Sequence, residues 1–289
     1  MPSAVAFSPS HITGIFRIHK NSSTGAGFCL DSGMITSVSA QKAKGKPRWR
    51  IFINSKEAKH EKDAVVSFWV LRKFRERVGD FSATVRHKTE FPIGYGCGMS
   101  AAAGLSLSLA LNKALCAGLT RGQCVKLAHD ADVACGTGLG GVDAEALGGI
   151  LFRIKPDAKQ VRKLKLCEER RALSIVIAFF DPIKTASVIK SAAWKRKVNA
   201  AGEKCLNEFG KSPSISSLVK LSRAFSLETG LANWCKPILA SDQKACMAML
   251  GRTIFVFTKK PAEVAVRYKK LGARTVLVAK IGEKGAHLL

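Results

Sequence analysis

The segment PIGYGCGMSAA at residues 92–102 constrains this chain more than any other stretch of its sequence. Before it, residues 82–90 alternate apolar and polar side chains, the period of a half-buried strand. After it, small apolar residues run on to about residue 117 and predict a long helix. A strand must therefore turn sharply into a helix across Gly94, Gly96 and Gly98. Glycine permits such a turn and lets backbone amides approach a ligand closely. The free N–H groups and positive dipole end of a helix N-terminus favour phosphate, so the turn reads as an anion-binding loop. Ser100 falls in the first helical turn, where a hydroxyl reaches a phosphate or its magnesium. The alternative is a turn whose glycines serve only tight packing.

The remaining pattern is mixed. Short strands are predicted at 3–8, 14–20, 28–30 and 34–39, separated by Pro, Gly and Ser, and another at 48–54. Residues 63–78 have helical spacing at Val66, Trp69, Val70, Phe74 and Val78. A helix over 121–133, a glycine-rich loop at 135–141 and a strand at 149–154 follow. The basic stretch 155–171 has no apolar period and marks the expected boundary, giving domains 1–160 and 161–289. The second half opens with a strand at 173–180. About three helices follow between 185 and 250, then a strand at 253–258, a helix at 261–271 and a strand at 274–280. This order predicts an α+β sandwich.

Composition narrows the function. Lys and Arg total 47 against 21 Asp and Glu, a net charge of +26 that attracts polyanions or small anionic substrates. The basic runs 42–50 and 155–165 motivate a nucleic-acid-binding reading, but aromatic residues make up only 7% and no nucleic-acid motif is present. The nine cysteines form no CxxC pair and read as reduced core thiols of a cytoplasmic protein. The opening MPSAVAFSPSHITG lacks the features of a signal peptide, and window 99–119 reads as a buried helix, not a membrane span. Gly136, Gly138 and Gly141 fit GxGxxG, but a helical pattern precedes them where a dinucleotide site needs a strand, so that context fails. Gly210-Lys211-Ser212 imitates a Walker A ending without its first glycine or a preceding strand.

PIGYGCGMSAA resembles the second motif of the GHMP kinases. The segments SPSHITGIF, STGAGF, GTGLG, LGG and ACMAMLG, spread in order from residue 8 to residue 251, are similar to those of the archaeal pantoate kinases. The resemblance implies a two-domain GHMP kinase fold, with an N-terminal ribosomal-protein-S5-like domain and a C-terminal ferredoxin-like α/β sandwich. It implies phosphorylation of the 4-hydroxyl of (R)-pantoate by ATP with Mg2+, a step of coenzyme A synthesis, and leaves a homodimer open. Another hydroxy acid, mevalonate- or homoserine-like, is the alternative acceptor.

The resemblance also implies roles. Pro92, Gly94, Gly96, Gly98, Met99, Ser100 and Ala101 would bind ATP, with Ser100 also at the metal. Met99 stands where the family has a first serine. Asp132 would hold the metal and act in catalysis, one methylene shorter than the family's usual Glu. His129, three residues earlier, would contact pantoate. Arg153 would pair with the pantoate carboxylate, while Ser23 and Thr185 would bind pantoate through hydroxyls. His11 lies in the first motif with no assigned role, and Ser10 replaces a usual Gly. One departure matters: the family often carries a basic Asp seven residues before its GG pair, and that position here is Gly141. The nearest carboxylates are Asp143 and Glu145, and Asp143 is the expected substitute. Transfer without such a base, or an inactive or altered-substrate paralogue, are the other readings.

Overall fold

Two long strands organise the chain where four short ones are predicted. A computed structural model describes residues 2–43, 45–156, 160–165, 168, 172–182 and 192–289. Strands β1 (Ser3–Ile18) and β2 (Ser23–Lys42) pair antiparallel along nearly their whole length. Pro9 and Gly14 do not end β1. The register instead shifts between Pro9 and His11 and between Thr13 and Ile15, so the punctuation is absorbed as bulges that bend the ribbon. Glycine in β2 reflects crowding: a Cβ on Gly25 would lie 2.6 Å from the Ile15 carbonyl oxygen.

Strand β3 (Trp49–Ile53) pairs with β4 (Lys56–Glu57), a two-residue strand with no predicted place. Strand β3, helix α1 (Val65–Val78), strand β5 (Phe81–Lys88), and helices α2 (Met99–Ala114) and α3 (Arg121–Ala134) follow close to their predicted places. A seven-residue helix, α4 (Gly141–Leu147), was not predicted, because it is too short to show a period. Strands β6 (Ile150–Lys155) and β7 (Gln160–Lys163) complete this half. Strand β2 changes neighbours midway, pairing with β6 over Gly25–Phe28 and with β5 over Ile35–Lys42. The apolar faces of α1, α2 and α3 bury against the sheet through Val70, Phe74, Leu105, Leu111 and Ala128. Helix α2 is buried almost all round, which accounts for its run of small residues.

The second half holds strands β8 (Ser174–Asp181), β9 (Cys246–Ala248), β10 (Arg252–Thr258) and β11 (Thr275–Ala279), in the antiparallel order β11-β8-β10-β9. Helices α5 (Ala192–Lys211), α6 (Ile215–Glu228), α7 (Lys236–Ser241) and α8 (Pro261–Lys270) accompany them. Strand β12 (His287–Leu288) returns to pair with β1 in the first sheet. The architecture is the α+β arrangement expected. One apolar core joins the halves: the Phe28 ring of β2 lies 5.2 Å from Phe255 and 5.0 Å from Phe257 of β10. Truncating a buried aromatic of this kind to Ala costs about 3–5 kcal/mol.

The described cysteines are all free, and six of them are buried, in line with core thiols; Cys167 lies outside the described residues. Among the described residues no helix is long and apolar enough to cross a membrane.

Candidate active site

The glycine-rich loop owes its shape to the backbone. Gly94, Gly96 and Gly98 all take left-handed conformations, with φ of +89°, +80° and +72°. Gly98 caps α2, and the first internal helical bond runs from the Ala102 amide to the Gly98 carbonyl at 2.9 Å. The amides of Met99, Ser100 and Ala101 precede it and have no acceptor within the helix. The loop is held from two sides. On one, the His11 amide and the Ser10 hydroxyl donate to the Cys97 carbonyl at 3.2 and 2.8 Å. On the other, the Thr253 hydroxyl donates to the Tyr95 carbonyl at 2.7 Å, and a Cβ on Gly96 would lie 2.7 Å from the Met249 carbonyl oxygen. The C-terminal half therefore fixes a loop that belongs to the N-terminal half.

A cleft open to solvent lies over this loop. Gly94, Gly96, Gly98, Met99, Ser100 and Ala101 line it, and Pro92 does not. Opposite stand Asp132 of α3 and the loop 137–141, with Ser23, His11 and Arg153 closing one corner. Asp132 is almost fully buried, and Thr137 donates to its Oδ1 at 2.5 Å. Burial pushes the Asp132 carboxyl up to about 6, against the smaller opposing pulls of Thr137 and His129. A Cβ on Gly138 would collide with Oδ2, so only glycine lets the loop close over this carboxylate.

The corner around Arg153 is built from side chains. Arg153 projects from β6, is 4% exposed, and donates through Nη1 to the Gly140 carbonyl at 2.5 Å. Burial lowers the guanidinium pKa, and the charge of Asp143 works to raise it. The Ser23 hydroxyl donates to the Leu139 carbonyl at 3.5 Å. The His11 ring is buried beside them, and burial, with the Arg153 charge second, lowers its pKa to about 3, so it is a neutral imidazole. This corner presents one fixed positive charge and neutral donors, which suits a small carboxylate carrying hydroxyls.

A second cavity meets the first at Met99, Ser100 and Thr137 and continues between the start of α1 and Ile93. Its walls mix Ile53, Val65, Val66 and Ala103 with Lys62 and Asp63, an apolar surface with polar edges.

Of the residues singled out from sequence, Ser23, Ser100, Asp132, Arg153 and the loop glycines come together in the cleft. His129 and Asp143 are not among the residues lining it; they face one another, Nδ1 to Oδ2, at 3.9 Å. Thr185 lies outside the described residues. The sequence reading gave no role to His11, Thr137 or Glu145. The GTGLGG segment carried a signal for Thr137, since glycines so closely spaced also free a loop to close over a side chain. Glu145 carried none, because α4 was not foreseen.

Residues 64–149 match the model of the GHMP kinases N terminal domain. A pantoate kinase of Methanocaldococcus jannaschii is 33% identical over 269 residues, covering 88% of this chain and 92% of that protein. A pantoate kinase of Thermococcus kodakarensis is 29% identical, with 92% of this chain and 90% of the relative covered. A solved structure, a phosphotransferase related to the CoA biosynthesis pathway, superposes with a TM-score of 0.84 at 26% identity, covering 99% of this chain and 98% of the other.

Proposed function

The chain belongs to the pantoate kinase family of GHMP kinases, and we propose that it transfers the γ-phosphoryl group of ATP to the 4-hydroxyl of (R)-pantoate. The observation that carries this reading is the meeting of the amide loop 94–101 with the buried Arg153 in one cleft. In this reading the base and ribose occupy the second cavity, and the triphosphate crosses Ser100 onto the loop. The α2 amides and helix end face the charge that builds on the transferring group, which is where preorganised donors contribute most. Arg153 holds the pantoate carboxylate and Ser23 a hydroxyl, turning the acceptor oxygen toward the γ-phosphorus. Holding two reactants so aligned contributes on the order of 7–11 kcal/mol at best.

Among the described residues no cluster of three or more His, Cys, Asp and Glu could hold a metal by itself. The donors present are the Ser100 hydroxyl and the Asp132 carboxylate, whose burial cost a cation would offset. Such a pair fits Mg2+, which takes one or two protein oxygens and otherwise phosphates and water. Bound there, the ion would supply neutralisation of phosphate charge. Asp143 does not line the cleft, but its charge acts on Arg153 at the corner, and it remains our assignment for the carboxylate that receives the hydroxyl proton. We place the domain division near residue 160 and the protein in the cytoplasm.

The test is ADP release from ATP with a panel of hydroxy acids. Pantoate gives the signal, mevalonate and homoserine do not, and Ser100→Ala lowers turnover about 100-fold with an unchanged circular dichroism spectrum. Release with another acceptor and none with pantoate would end the reading. Full activity in Ser100→Ala would displace the site.

A further inference from the structure

We infer that Glu145 is a hydrogen-bond donor aimed from beneath the glycine loop at the phosphates of the bound nucleotide. The assignment rests on the kinase reading above and adds a binding group to it. Glu145 sits in α4 and is fully buried. Its two oxygens are treated differently. Oε2 accepts from the Ser8 hydroxyl at 3.5 Å, whereas Oε1 is buried without any partner. The main chain of the residue is pinned, since its carbonyl accepts the Ala286 amide at 2.8 Å.

Two glycines that line the cleft stand beside Oε1. A Cβ on Gly98 would strike it, and a Cβ on Gly141 would lie 3.8 Å from it. With hydrogen alone at both positions, Oε1 packs directly behind two glycines that line the cleft, although Glu145 does not line it itself. The loop's own carbonyls are already engaged: Gly98 O takes the Ala102 amide, and Cys97 O takes the His11 amide and the Ser10 hydroxyl. The acceptor we assign is a ligand oxygen, on a loop whose free helix-end amides suit phosphate.

The chemistry fits a donor better than a base. Burial first and the charge of Asp132 second raise the Glu145 pKa well above the usual carboxylate range, which favours the protonated form. A carboxylic acid kept neutral in an apolar site can donate where a carboxylate would repel an anion. With Oε2 as the carbonyl oxygen facing Ser8, the proton resides on Oε1. An orphaned buried donor is costly, and the cost is recovered when an acceptor arrives.

The experiment compares the full-length wild type with Glu145→Met and Glu145→Gln, measuring binding of a non-hydrolysable ATP analogue by titration calorimetry. Glu145→Met, similar in size but without a donor, is expected to weaken binding about tenfold with the pantoate KM unchanged. Glu145→Gln, which keeps an N–H donor, is expected to recover most of that loss. Infrared difference spectra give a second readout on the wild type itself: a protonated-carboxyl band that moves to lower frequency with the analogue and is missing in Glu145→Gln. Wild-type affinity in Glu145→Met would overturn the assignment, as would Glu145→Gln failing as badly as Glu145→Met, the signature of a required carboxylate. If neither variant folds, a wild-type band unmoved by the analogue would overturn it. A wild type that binds no nucleotide would sink the kinase reading and this assignment together.

Discussion

The glycine loop and the Arg153 corner open into one cleft but are made of different material. The loop works through backbone: three left-handed glycines and a helix N-terminus, with a methionine at residue 99 where a second hydroxyl would otherwise stand. The corner works through side chains delivered by separate strands: His11 from β1, Ser23 from β2 and Arg153 from β6. A backbone site fails when its dihedral angles change, and here Ser100 is the one loop side chain given a role of its own. A side-chain site fails when its side chains are replaced. The two regions should therefore respond to mutation in different ways.

The largest effect is expected at the corner. Arg153→Ala removes a buried, hydrogen-bonded charge and should raise the pantoate KM about 100- to 1000-fold, with the ATP KM within about threefold of wild type. Steady-state kinetics in both substrates would check this, and equal losses for ATP and pantoate would erase the distinction between the regions.

Next comes the loop. Gly96→Ala adds only a methyl group, but at a φ of +80° and against the Met249 carbonyl. It should cost about 1–3 kcal/mol of stability, seen as a lower Tm, and weaken nucleotide binding while the pantoate KM holds. A Gly96→Ala protein with wild-type melting and nucleotide affinity would show that the loop does not depend on its glycine backbone.

The smallest effect concerns His11. Its folded pKa of about 3 lies below the ordinary value of 6.5, so the unfolded chain takes up a proton that the folded chain refuses. The contribution to stability is complete above 6.5 and is lost as pH falls from there toward 3. The expected loss is about 1 kcal/mol by pH 5.5. His87, buried on β5 and lowered to about 4, adds a parallel loss far from the Arg153 corner. Comparing melting curves of wild type and His11→Gln across pH 5–8 isolates the cleft residue. An identical acid limb in the two proteins would mean that His11 titrates normally.

The same contrast explains what could be read from the sequence. The loop was legible because its signal is local: strand period, glycines and helix period lie within one contiguous stretch. Helices α1, α2 and α3 and the second sheet were legible through their periods. The long β1–β2 ribbon was not, because Pro9 and Gly14 read as turns and only the paired strand shows that they are bulges. Arg153 and Ser23 entered through resemblance alone. Nothing marks Arg153 among the 47 basic residues, since its burial depends on Gly140 and on pairing between β2 and β6. Glu145 was hidden for the same reason: its neighbours Ser8 and Gly98 are distant in sequence and meet it only in the fold.

A crystal structure with a non-hydrolysable ATP analogue and pantoate tests the two-material cleft most directly. The account predicts the triphosphate lying across residues 94–100 on the α2 amides, with the pantoate carboxylate on the Arg153 guanidinium. A triphosphate seated away from those amides, or a carboxylate held elsewhere than Arg153, would contradict it.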